Sequence, residues 1–279
     1  MRPKRIPFLL YHDVSRTPAR AQDLRTVTPD QFATHMALLA ADGYTALTVS
    51  TLAGMMRSGV DLPDRAVAIT FDQGSADLVE AALPVLARHD LRATLYVSTG
   101  DLSHSWRGAH RRELTLTPEM VVAAARGGVE VGSHGHRRIR LDSLPAFEAQ
   151  AQIAHSRDVL RELGVKVTSF SYPFGAASRA VRTQVIEAGF SSACALRHAM
   201  SSPRDDVYQL SRIVITRSTS VEQFAAYLAG IGLATAPFEE QMRLRMWRSV
   251  RRATRTLAGT PRRRATPGAP SAASHRGAA

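Results

Sequence analysis

Ala68-Ile-Thr-Phe-Asp-Gln-Gly-Ser-Ala-Asp77 decides the fold. An apolar run ends on a carboxylate, Asp72, passes through Gln-Gly-Ser and enters helix-patterned sequence that lasts to His89, so the stretch reads strand, loop, helix. The same succession holds on both sides. Strand-like runs at 8–11, 66–70, 93–97, 129–132, 169–172 and 192–196 alternate with helical patterns such as 76–89, 117–126, 145–163 and 178–188. Thr117 ahead of Pro118, and Asp142-Ser143 ahead of Leu144-Pro145, read as helix starts, while Gly164 and Gly189 suit left-handed C-terminal turns. Such alternation predicts a parallel sheet closed or nearly closed by crossover helices, with its chemistry at the strand C-terminal ends. His12, Asp72, His134 and Tyr172 all fall at those ends.

Thr70-Phe71-Asp72-Gln73-Gly74 resembles the T-F-D-D-G signature of the NodB-homology polysaccharide deacetylases, carbohydrate esterase family 4. Other stretches resemble the same family, in the branch that begins Y-H-x-V. Phe8-Leu-Leu-Tyr-His-Asp-Val14 is similar to its first strand, Ala93-Thr-Leu-Tyr-Val97 to its A-T-x-F-V strand, Phe170-Ser-Tyr-Pro-Phe-Gly175 to its F-x-Y-P-[FY]-G motif, and Gln209-Leu-Ser-Arg-Ile-Val-Ile215 to its late L-x-R-I-x-V strand. The resemblance implies a deformed (β/α) TIM-like barrel, here a single domain over residues 6–235. It also implies hydrolysis of the N-acetyl group of an amino sugar. In that family the Asp matching Asp72 is the general base, an Asp-His-His trio binds a zinc-like divalent metal, and the backbone N–H matching Phe174 helps hold the tetrahedral oxyanion. His12, Tyr172 and Gln73 are expected to line the substrate pocket.

The chain departs from the pattern at the metal. The resemblance places Gln73, His134 and Arg138 at the three ligand positions. Gln offers a neutral amide oxygen where a carboxylate is wanted, and Arg has no lone pair and a permanent charge that repels a cation. The expectation is no metal or a weakly bound one, held at His134 unless His136 or His12 substitutes. Either the site has drifted after losing its metal, or the Arg138 guanidinium occupies the ion's space and gives Asp72 a partner. The family's late L-H motif, source of the general acid, is also missing from Val221-Glu-Gln-Phe-Ala-Ala-Tyr-Leu-Ala-Gly230.

Composition is that of an ordinary globular chain, with 44% hydrophobic and 22% charged residues. The lone Cys194 excludes an intramolecular disulfide and reads as a buried strand residue. His35, His89, His104, His110, His155 and His198 carry no motif and read as surface or helix residues. No run of apolar residues suggests a membrane span, and the basic N-terminus runs into a first strand and not a signal peptide, so a cytoplasmic protein is expected. The net charge is +12, and from residue 236 onward there are ten Arg against two Glu. Within 236–258, Met242, Met246, Trp247 and Val250 recur at helical spacing with arginines between them, the pattern of a basic amphipathic helix that could lie on an anionic membrane. Residues 259–279, rich in Arg, Pro, Ala, Ser and Gly, are expected to be disordered. No specific nucleic-acid partner is expected, since the body shows no nucleic-acid-binding pattern.

Three functions compete on these residues. One is a hydrolase keeping C–N bond activity with weak or no metal, using Asp72 as base and Arg138 with the Phe174 N–H to stabilise charge. The second is a catalytically inactive carbohydrate-binding or regulatory protein. The third is a membrane-surface interaction protein working through its basic tail.

Overall fold

The structure is a computed structural model, and residues 4–16, 24–73, 75–102 and 115–234 are described. The calls for 236–258 and 259–279 lie outside them.

Strands β1 (Phe8–Tyr11), β5 (Ala66–Asp72), β6 (Thr94–Val97), β7 (Glu130–Ser133), β8 (Ser169–Ser171), β9 (Ser192–His198) and β10 (Leu210–Val214) close into an all-parallel barrel. β1 is the closing strand, paired on one side with β5 and on the other with β10. Between β1 and β5 the chain makes the short pair β2 (Asp13–Val14) and β3 (Thr26–Val27), helix α1 (Pro29–Ala41), β4 (Thr45–Ala46) and α2 (Val49–Ser58). Among the described residues β4 pairs only with the first residues of β5, Ala66 and Val67. The crossovers are α3 (Ala76–Arg88), α4 (Pro118–Arg126), α5 (Ala146–Glu162) and α6 (Arg179–Glu187), and α7 (Val221–Leu228) follows β10. No helix among the described residues is long and apolar enough to cross a membrane.

Local chemistry sets the boundaries. Thr117 and Ser178 cap α4 and α6 by accepting the Met120 and Val181 N–H. The expected cap at Asp142-Ser143 is instead part of a 3-10 turn, Leu141–Ser143, and Pro145 occupies the N-cap of α5 without a side-chain bond. Gly164 and Gly189 take φ of 76° and 83°, as their positions after helical runs predict.

Strand alternation divides the barrel into two surfaces. Leu9, Tyr11, Val67, Ile69, Phe71, Leu95, Val97 and Ile213 point outward into the core shared with the helices. The other parity points inward: Phe8, Ala66, Ala68, Tyr96, Cys194 and Leu210 pack with Val49, Leu52 and Ala53 of α2, which plugs the barrel floor. His35 is a helix residue, one of the two readings, but not a surface one. On α1 it is fully buried, stacked on Phe224 with centroids 4.1 Å apart and 3.2 Å from the Tyr11 hydroxyl.

Candidate functional site

Inward parity carries Thr70 and Asp72 up one side of the barrel and Leu210 and Arg212 up another. Small residues face them: Thr94, Ser169, Ser171 and Gly132, where a Cβ would come within 2.5 Å of the Tyr96 ring. Into that narrow, polar interior runs the Arg212 side chain, which is wholly buried. Its Nη1 donates to Asp72 Oδ1 at 2.7 Å and its Nη2 to Asp72 Oδ2 at 2.8 Å. The other donors go to Ser171 Oγ at 2.9 Å, Thr70 Oγ1 at 3.3 Å and, from Nε, the Ala195 carbonyl at 3.1 Å. A guanidinium has five N–H donors and here each has an acceptor, the condition for tolerating a cation in a barrel interior.

Ser171 Oγ also lies 3.2 and 3.3 Å from the two Asp72 oxygens. Burial opposes ionisation of Asp72, but Arg212, helped by the nearby histidines, holds its carboxyl well below the usual carboxylate range. Burial likewise opposes charge on Arg212, and Asp72 outweighs it.

His134, next after β7, is buried and its Nδ1–H donates to the Ser171 carbonyl at 3.0 Å. The lone pair is therefore on Nε2. Burial lowers its pKa, against the attraction of Asp72, so the ring is neutral at pH 7. His12, which follows β1, is pushed down to about 4 by burial, and Asp72, Arg212 and His134 all act on it. Its buried Nδ1 has no hydrogen-bond partner among the described residues. His12, Asp72 and His134 are thus brought together as the strand-end argument requires.

The turn Pro173–Gly175 follows β8. Phe174 stands at φ 57° and ψ 18°, a left-handed conformation that costs a non-glycine residue on the order of 1 kcal/mol. Gly175 follows at φ 67°, and a Cβ there would meet Leu196 Cβ at 2.3 Å. Half of the Phe174 surface is exposed, and its backbone N–H is bonded to no other described group, as an oxyanion donor must be.

Other expectations are corrected. The guanidinium paired with Asp72 belongs to Arg212, whereas Arg138 is exposed in the loop after β7 and reaches the site only through its field on His134. Tyr172 is fully buried, and its hydroxyl donates to the Tyr208 carbonyl at 3.0 Å, so it supports the turn from within the core and presents no face to a ligand. His136 does not turn toward His134 but lies against Thr99 and His155. Gln73 is half-buried at the mouth with φ 80°, its N–H on the Tyr96 carbonyl. The donor set does not fit a catalytic divalent metal: among the described residues no three His, Cys, Asp or Glu are placed to hold an ion.

The family model for polysaccharide deacetylase matches residues 59–193. A Bacillus subtilis protein, YxkH, provisionally assigned as a polysaccharide deacetylase, is 25% identical over 81% of this chain and 77% of its own. Among solved structures, the Streptococcus pyogenes deacetylase PplD in complex with acetate superposes with a TM-score of 0.72 at 21% identity, covering 81% of this chain and 99% of its own. IcaB from Ammonifex degensii gives 0.66 at 21% identity, covering 81% and 97%. These two likenesses bear on the barrel alone.

Proposed function

Because the chain belongs to the polysaccharide deacetylase family, we propose that it recognises an N-acetylated carbohydrate at the mouth of its barrel while its metal-dependent deacetylation is impaired. The observation that carries this is the identity of Gln73 and Arg138 at two of the three ligand positions: Gln73 offers only a neutral amide oxygen, and Arg138 is exposed in its loop and has no lone pair to give, which leaves His134 as the one strong donor of the trio. In the family the metal brings the pKa of its bound water from about 16 to near 7. Asp72 cannot replace that effect. A carboxylate paired on both oxygens by Arg212 is a weak base toward free water.

The retained groups are those that recognise. The Phe174 N–H is open to an acetyl carbonyl oxygen, and His134 Nε2 can accept an amide N–H. The buried His12 Nδ1 offers a further polar contact. We propose in addition that the protein is cytoplasmic and that residues 236–258 bring it to anionic membrane surfaces; their apolar and arginine spacing supports this.

Calorimetry with an N-acetylglucosamine oligosaccharide, alongside an acetate-release assay with and without added zinc, tests the central reading. The expected result is saturable binding with acetate release far below the roughly 10 per second typical of enzymes. Turnover at that rate, or no binding, overturns it.

A further inference from the structure

We infer that the mouth of the barrel selects an anionic glycan, one whose sugars on either side of the N-acetylated residue carry carboxylates or phosphodiesters. The inference rests on the reading of that mouth as a site for an N-acetylated carbohydrate. Exposed arginines stand on opposite sides of it. On one side Arg217 follows β10 and Arg25 precedes β3, and the Arg217 N–H donates to the Leu24 carbonyl at 2.8 Å, which brings the two segments together beside the end of β1. On the other side the loop after β7, three strands round the ring from β10, carries Arg137 and Arg138.

Hydrogen bonds hold the backbone under both pairs, so the arginines start from fixed positions and little ordering is left to a ligand. Next to Arg217, Gln31 Nε2 donates to the Thr216 and Thr219 carbonyls at 3.1 and 2.8 Å. Across the mouth, the Gly135 and His136 carbonyls accept from the Thr99 and Gly100 N–H at 3.2 and 2.7 Å, and the Arg137 N–H donates to Gln152 Oε1 at 2.9 Å. Glycine is needed at 100, since a Cβ would lie 2.6 Å from the His136 carbonyl oxygen. The field of Arg25 reaches His12 and that of Arg138 reaches His134, the two rings beside Asp72.

The carboxylates near the mouth are mostly matched from within. Asp72 is paired by Arg212, Asp30 by Arg16 at 3.2 Å and Asp142 by Arg140 at 3.2 Å. Asp13 Oδ1 accepts from Ser75 Oγ at 2.6 Å and from the Val14 N–H at 3.0 Å, and Asp101, which acts on the same histidine as Arg137, offsets part of that arginine's charge. Among the described residues the rim is therefore left positive. A guanidinium fork fits a carboxylate or a phosphate with two parallel hydrogen bonds, and a concave site rimmed by one sign of charge concentrates ligands of the other. A neutral glycan gains nothing from such a rim, and an amino sugar freed of its acetyl group and carrying a proton is repelled by it. Charge on both sides of the acetyl position suits a chain laid across the mouth with anionic groups before and after the N-acetyl sugar.

The test is calorimetry on the full-length protein, at low and at high salt, with chitohexaose, a hyaluronan hexasaccharide in which N-acetylglucosamine alternates with glucuronate, and an oligogalacturonate that is charged but has no N-acetyl group. An N-acetylglucosamine oligomer joined by phosphodiesters tells phosphate from carboxylate. At low salt an anionic N-acetylated oligomer should bind on the order of tenfold tighter than chitohexaose, its advantage should shrink as salt rises, and oligogalacturonate should bind more weakly than hyaluronan. Arg138→Gln combined with Arg217→Gln removes one exposed charge from each side and keeps the fold, which thermal melting verifies; it should cut the anionic-over-neutral ratio several-fold. The arginines after residue 236 are the same in both proteins and cancel from that comparison. Equal affinity for neutral and anionic N-acetylated oligomers, or an unaltered ratio in the double variant, overturns the anionic preference and leaves the proposed function standing. Oligogalacturonate bound as tightly as hyaluronan overturns it too, since charge alone would then be recognised. Binding of none of the N-acetylated oligomers overturns the proposed function together with it.

Discussion

Arg212 and Asp72 face each other across the barrel interior as a two-point ion pair, 2.7 and 2.8 Å long, formed by residues 140 positions apart. Each is buried, and neither could stay there alone.

Arg212→Met leaves a buried carboxylate without its counter-ion. It should destabilise the fold by about 3–5 kcal/mol, and Asp72→Ala by a similar amount, because breaking such a pair strands the remaining charge. The double variant should be more stable than either single one. Urea unfolding checks this, and additive losses in the double variant would show that the pair is not coupled.

Gln73→Asp with Arg138→His restores the family's ligand trio beside His134. The double variant should retain about one equivalent of zinc through dialysis, whereas either single change should retain little, since coordination needs all three donors together. Equal retention by single and double variants would contradict the placement of residues 73 and 138 as ligands.

Acid should weaken the fold in a defined window. Burial pushes both His12 and His35 down to about 4, against about 6.5 in the unfolded chain. Between those values the unfolded state binds more protons, so stability rises with pH. It should be level above about pH 7, fall from there to about pH 4, and fall further as Asp72 loses the stabilisation it holds above its unfolded pKa. His35→Phe, which keeps an aromatic against Phe224, should flatten the slope in thermal melts at pH 7.5 and 4.5. An unaltered slope would remove His35 from the account.

The tail can be tested by its own tryptophan. If residues 236–258 lie on anionic lipid, Trp247 fluorescence should shift to the blue with phosphatidylserine vesicles at low salt and return as salt rises, each arginine contributing on the order of 1 kcal/mol near the surface. Deleting 236–279 should abolish vesicle binding and leave the barrel folded. Loss of folding on truncation would instead make the segment part of the domain.

The barrel was legible because its strands are short apolar runs between helix signals, and their observed limits differ from the pattern by only a few residues, as at Ala66–Asp72 and Glu130–Ser133. The motifs located Asp72, His134 and Phe174 at the ends of their strands, where the structure has them. Arg212 was not, although it stands in a strand quoted for its likeness. An arginine between Ser211 and Ile213 reads as outward-facing until parity with Leu210 places it inside, and only closure of the sheet brings it to Asp72. Arg138, four residues from His134 at a ligand position of the motif, was the more obvious partner. Tyr172 was misplaced for a related reason: a strand end locates a residue at the mouth but not the direction of its hydroxyl. The burial of His35 within its helix was not legible because it depends on Phe224, which α7 brings to α1 from the far end of the domain.

The position of β1 has a consequence for how the chain folds. The strand made first is seated between β5 and the last strand of the barrel, with Leu9 level with both Ile69 and Ile213. Closure therefore waits for synthesis to reach β10. Until then the Asp72 carboxylate has no counter-ion, and the free side of β1 is an unpaired edge. Contacts between such distant segments are the slow ones in folding, and an open intermediate with a bare strand edge is prone to aggregate. The ion pair that stabilises the finished barrel is thus one of its last contacts to form, and its appearance marks the moment when the sheet ceases to have edges at β1 and β10.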